Sequence, residues 1–126
     1  MSVPQMMNRI HLDDVVRTYY RRVDADDIDG MMLLFEPDAI YDRPGQKSIV
    51  GRSAISAFYR SQPPIRSRRH NLSSLIIEGS EVAVHGTADR ITLDGQHSTI
   101  GFADFFTVSG SGLFSHRRTF FFVPFA

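Results

Sequence analysis

The chain has no cysteine, which excludes disulfides, thiolate catalysis and cysteine-ligated metals. It has no excess of either charge. Fourteen basic and fourteen acidic side chains cancel, so nothing argues for a nucleic-acid or membrane partner. No apolar run reaches bilayer length, and Met1-Ser2-Val3-Pro4-Gln5-Met6-Met7 lacks the basic stretch and apolar core of a secretory leader. A soluble cytoplasmic protein is therefore expected. There is no Gly-rich phosphate loop, no Gly-x-Ser-x-Gly elbow and no His or carboxylate group with metal-ligand spacing, so neither metal nor cofactor is expected. Repeats, low-complexity stretches and long linkers are missing too. With 126 residues, a single domain over 1–126 follows.

What is present divides into two halves by period. Leu12, Val15, Val16, Tyr19 and Val23 follow helical spacing and give one apolar stripe backed by Asp13, Asp14, Arg17, Arg21 and Arg22. A second short helix, with Ile28, Met31, Met32 and Phe35 on one face, is expected to end at Pro37. Ala39-Ile40-Tyr41-Asp42 reads as a short strand before the Arg43-Pro44-Gly45 turn. A third helix opens near Gly51, with Ser53 as its expected N-cap and Ile55, Phe58 and Tyr59 facing inward. From about Arg66 the period becomes two, and strands are expected over 66–78, 81–92, 97–108 and 113–123, joined by hairpins. The plan is α+β: three N-terminal helices packed on a curved, mostly antiparallel sheet, leaving a cone whose mouth admits a small molecule.

Asp104 shares strand parity with Ile100, Phe102, Phe106 and Val108. A carboxylate on that apolar face either finds strong partners or takes up a proton. An Asp104 bonded to backbone or paired with arginine is structural, whereas an unpaired one beside a phenol is chemistry. Tyr19 lies on the helical stripe, so its hydroxyl is inside and needs a partner. If Ile40 faces the core, parity turns Asp42 toward the cavity as a general base, with an exposed turn aspartate capping Gly45 or Gln46 as the alternative. Arg43, if the turn re-aims it inward, would instead bind a carboxylate or steady an enolate. His70 shares parity with Leu72, Ser74 and Ile76 and is an acid/base candidate, with a satisfied structural histidine as the alternative. Tyr41 and Tyr59 read as packing residues, and Arg60, Arg66, Arg68 and Arg69 as a solvated basic edge, with a surface that meets an acidic substrate or carrier protein as the alternative. Arg117 and Arg118 split by parity, so one of the two faces inward. Phe120-Phe121-Phe122-Val123-Pro124-Phe125 is apolar on both parities, which calls for cover on both sides.

The order of elements resembles the NTF2-like cone, and several segments resemble its ketosteroid-isomerase and SnoaL-like (polyketide cyclase-like) branch. These are Tyr19 to Gly30, Phe35-Glu36-Pro37-Asp38-Ala39-Ile40, Gly51-Arg52-Ser53-Ala54-Ile55 and Arg69-His70-Asn71-Leu72-Ser73-Ser74. The resemblance implies that Tyr19 and Asp104 stand where ketosteroid isomerases keep two oxyanion donors, a pairing that is a general example of a carboxylic acid held neutral. The family's general base falls nearest Arg43, with Asp42 one residue before it, so the sequence departs from the pattern there. A homodimer formed through the sheet is also implied.

The resulting expectation is a cofactor-independent enzyme acting on a hydrophobic carbonyl-containing molecule. Its catalytic candidates are Tyr19, Asp104, Asp42 and His70, with Arg43, Phe58, Phe102, Phe106 and Phe120 against the substrate. Epoxide opening or closing, dehydration, and a non-catalytic ligand-binding or dimerisation module are the alternatives.

Overall fold

The computed structural model describes residues 3–122, with side chains described from Asn8 onward. Helix α1 (Val3–Asp24) runs into the five-residue α2 (Ile28–Met32). Strand β1 (Phe35–Asp42), the short β2 (Ile49–Val50) and α3 (Arg52–Arg60) follow. Then come the long strands β3 (Ile65–Glu78), β4 (Glu81–Thr92), β5 (His97–Val108) and β6 (Phe114–Phe121). The sheet order is β2-β1-β6-β5-β4-β3, parallel only between β1 and β6. The helices cover one face of this curved, unclosed sheet, which is the α+β cone expected from the change of period.

The stripe of α1 is buried as its spacing requires, and Tyr20 joins it. The Tyr19 ring meets Phe35, Phe106 and Phe114 edge-on, with centroids 5.6–5.7 Å apart. Such pairs add about 0.5–1.5 kcal/mol each beyond the area they bury. Arg21 and Arg22 occupy the last turn of α1, where cations oppose the helix dipole.

Three boundaries differ from expectation. Helix α2 stops at Met32, and Phe35 and Pro37 belong to β1. The ladder to β6 passes from Phe35 directly to Ile40, so the missing Pro37 N–H breaks no strand bond. Ser53 does not cap α3. Gly51 holds that position at φ 94°, its carbonyl accepts the Ile55 N–H at 3.0 Å, and no side chain caps the end.

Two irregularities shape the sheet. β3 slips by one residue between Leu72 and Ser74, opposite Gly86. A Cβ at Gly86 would lie 2.0 Å from the Asn71 carbonyl oxygen, so only glycine lets the two backbones close there as the sheet bends. In β6, Phe114 pairs with Val108 but His116 pairs with Thr107, leaving Ser115 as an extra residue. Phe114 and Arg117 therefore both face the core although three positions separate them.

The outer face exposes Phe105 and Phe120, whose rings meet edge-on at 5.8 Å. Val123, Pro124 and Phe125, part of the expected two-sided apolar tail, lie outside the described residues. Among those described, no helix is long and apolar enough to cross a membrane.

Candidate active site

A cavity of about 300 Å³ opens between α3, the end of α1 and the inner face of the sheet. This is the size of a small-ligand site. Tyr59, Arg117 and Thr119 form its polar floor, Phe58, Phe102, Phe121, Ala88 and Ile100 its apolar walls, and His70 projects from β3.

The floor is one hydrogen-bonded network. Asp104 is fully buried and accepts from three donors: the Tyr20 hydroxyl, Arg117 Nη2 at 2.9 Å and Thr119 Oγ1 at 2.5 Å. The Asp104–Arg117 salt bridge is buried on both sides. Taking two charges out of water is costly, and their mutual attraction with the extra hydrogen bonds offsets it. Arg117 Nη1 donates to the hydroxyls of Tyr19 (2.6 Å) and Tyr59 (2.7 Å), and these two hydroxyls bond to each other. Burial pushes the Tyr19 and Tyr59 phenols up, against the opposing pull of the Arg117 cation, so both keep their protons at neutral pH.

Counting donors locates the free proton. Both phenol oxygens accept from Arg117. Tyr19 is fully buried, and the Tyr59 oxygen is its one remaining acceptor among the described residues. Tyr19 therefore donates to Tyr59, which leaves the Tyr59 O–H for the cavity it lines. The buried Nε of Arg117 has no partner.

His70 is held from behind. Asp24, the last residue of α1, accepts from the His70 backbone N–H at 2.9 Å and lies 2.6 Å from Nδ1. In the neutral ring that contact places the hydrogen on Nδ1 and the electron pair on Nε2. Nε2 makes no hydrogen bond among the described residues, and the ring, packed on Tyr20 and Phe102, lines the cavity.

The sequence of residues 16–116 matches the model of the SnoaL-like domain. The chain belongs to the SnoaL-like family. Among curated proteins, the epoxide hydrolase LasB of Streptomyces lasalocidi is 40% identical over 58 residues, which are 45% of this chain and 20% of that protein. The chain thus spans about a fifth of that relative's length. Among solved structures, an NTF2-like protein of unknown function from Burkholderia pseudomallei superposes with a TM-score of 0.80 at 21% identity, over 89% of this chain and 91% of that one. A ketosteroid isomerase from a Mycobacterium species does so with a TM-score of 0.77 at 18% identity, over 87% and 92%. These structural likenesses establish the NTF2-like cone.

Within this SnoaL-like cone, several expected site residues change place. Tyr20, not Tyr19, bonds to Asp104, because Tyr20 continues the helical row from Val16 and points along β5, while Tyr19 turns toward α3. Asp104 is paired with Arg117 and does not line the cavity, the arrangement expected of a structural aspartate. Asp42 faces away: Phe35, Ala39 and Tyr41 are the buried residues of β1, so Ile40 and Asp42 take the other side, and Asp42 bonds Ser48 and His116. The same parity carries Arg43 into the cavity, where it donates to the Tyr41 hydroxyl at 2.6 Å. Phe58, Phe102 and His70 line the cavity as expected. Phe106 is core beneath the floor and Phe120 lies on the outer face, leaving Phe121 as the lining residue. Sequence spacing misses Tyr59 as a site residue and places Arg68 only within a basic edge, solvated or facing an acidic substrate. The helical row from Ile55 to Tyr59 and the parity of Arg68 with His70 were the signals for them.

Proposed function

We propose that this SnoaL-like protein is a cofactor-independent acid/base enzyme that forms an enolate from a hydrophobic carbonyl compound. The observation that carries this reading is His70, oriented by Asp24 through Nδ1 with its other nitrogen in the cavity. In the proposed step Nε2 takes the proton from the carbon beside the carbonyl. The electron pair left behind moves onto the carbonyl oxygen, which receives a hydrogen bond from Tyr59. Arg117, 2.7 Å from the Tyr59 oxygen, steadies the negative charge from below. Return of the proton from His70 to the far carbon of a conjugated enolate completes an isomerisation, and attack of the enolate on a second carbonyl, whose oxygen takes that proton, completes a cyclisation. The outer sheet face with Phe105 and Phe120 is, on this reading, where a second copy pairs.

The test is proton exchange of β-tetralone in heavy water, followed by NMR. Exchange should exceed that in buffer, and Tyr59→Phe should lower it about 10²-fold, the effect of one lost oxyanion donor. Exchange no faster than in buffer, or insensitive to both Tyr59→Phe and His70→Gln, would overturn the proposal.

The sequence match to the epoxide hydrolase LasB favours a second reading with the same residues. His70 would take a proton from an attacking water or hydroxyl while Tyr59 gives one to the epoxide oxygen as its bond to carbon breaks. Diol formation from styrene oxide without β-tetralone exchange would select this reading.

A further inference from the structure

The cavity is cationic in a protein without net charge. Four arginines and one histidine line it, and among the described residues no aspartate or glutamate does. Arg117 is matched by Asp104. The other three have no such match. Arg43 stacks over Phe58 and Phe121, 4.9 and 5.3 Å from their ring centroids, and no carboxylate approaches it within bridging distance among the described residues. Arg68 donates to the Val23 carbonyl at 3.2 Å, and its acidic neighbour is Asp26, 3.9 Å away and 82% exposed. An exposed pair that long is worth little. The Arg90 side chain makes no hydrogen bond or ion pair among the described residues.

Arg68 and Arg90 are also direct cross-strand partners in the β3–β4 ladder. Like charges placed opposite one another destabilise an antiparallel pair. Parity sends both inward, Arg68 with His70 and Arg90 with Ala88, and all four line the cavity. The rung below them is His70 and Ala88, beside Ile100 on β5. Two guanidinium groups thus share one rung at the end of an apolar wall, an arrangement that an anion between them would relieve.

We propose that the Arg68–Arg90 rung is a carboxylate clamp, so that the substrate is an elongated apolar molecule with a carboxylate at one end. The identity of this ligand as substrate rests on the enolate reading; the clamp itself does not. Each guanidinium offers paired N–H donors matched to a carboxylate. The apolar body would lie along Ala88, Ile100 and Phe102 toward Tyr59 and Thr119, passing His70 two residues, about 7 Å of strand, from the clamp. The register gives the scale. Thr119 on the floor is level, through Asp104, with Val84, and Arg90 lies six residues further along β4. That is about 20 Å of strand.

Calorimetric titration with decanoate and with decanamide tests the clamp without any turnover. The wild type should prefer the acid about tenfold, the difference expected of one charge-assisted contact. The preference should fall to parity when Arg68→Gln and Arg90→Gln are combined, and added salt should weaken the acid alone. Arg90→Gln should unfold at no lower temperature than wild type, which serves as the folding control. His70→Gln should lose β-tetralone exchange and keep the acid preference, so failure of the enolate reading and failure of the clamp are told apart. Equal binding of acid and amide by the wild type, a preference that survives the double substitution, or no binding of decanoate would each overturn the proposal. Inorganic phosphate displacing decanoate at equal concentration would reassign the rung to phosphate and overturn it as well.

Discussion

Two histidine–aspartate pairs of nearly equal length sit on opposite faces of the sheet. His70 Nδ1 and Asp24 are 2.6 Å apart, and so are His116 Nε2 and Asp42. Their settings differ in one respect that matters for chemistry. Asp24 spends its second oxygen on the His70 backbone, so the far ring nitrogen opens on a cavity. Asp42 also serves Ser48 and Arg118, and its histidine lies on the outer face beside Phe105 and Phe120. A histidine–carboxylate contact is thus insufficient to define a base. The free nitrogen must face an enclosed space with a proton donor in it, and only the His70 pair has Tyr59.

The comparison can be broken first from below. Arg117→Met strands the buried Asp104 carboxylate under the His70 side of the sheet, and should cost about 3–5 kcal/mol in denaturant unfolding. Arg118→Met, beside the other pair, should leave the unfolding midpoint nearly unmoved. Next in size, His70→Gln should lower β-tetralone exchange about 10²-fold or more while His116→Gln leaves it unchanged. Equal losses would mean that the two pairs do not differ in function. Asp24→Asn should lower exchange about tenfold or more by releasing the ring tautomer, with Asp42→Asn again silent.

The smallest effect belongs to the outer pair and is one of stability. Hydrogen bonds from Ser48 and then His116 hold Asp42 below its ordinary carboxylate value of 3.8. A depressed folded value means stability that is present above pH 3.8 and fades as pH falls through the lower folded value. Melting temperature measured from neutral pH downward should therefore drop more gently in Asp42→Asn than in wild type over that acid limb. The alkaline limb belongs to the floor. Burial raises Tyr19, Tyr20 and Tyr59, so their contribution is fully present below pH 10 and is lost as pH rises from there through their folded values.

Most of the fold was legible because each half of the chain keeps one period. The stripe of α1 and the inward row of Phe102, Asp104, Phe106 and Val108 are buried where their spacing puts them. Asp104 was likewise legible as a polar residue on an apolar face, and its partner as one of Arg117 and Arg118. The site was less legible, since it depends on one-position choices. Tyr19 and Tyr20 are adjacent on a helix whose buried arc is wide enough to take both. Asp42 and Arg43 exchange roles because β1 begins at Phe35, which sets Tyr41 rather than Ile40 on the core side. A strand read only from Ala39 onward carries too little pattern to show that. Arg68 looked like part of a basic edge because its neighbours Arg66 and Arg69 point elsewhere, and only pairing with Arg90 reveals the difference.

The extra residue at Ser115 gives the last strand a length of slack between its two anchored ends. Were the ladder to run on evenly from Phe114, His116 would stand opposite Phe106 and turn inward, and Arg117 would turn out. The interior charge of this protein is therefore set by a count of residues as much as by their kind. Taking Ser115 out would leave Phe114 and Arg117 in their present register.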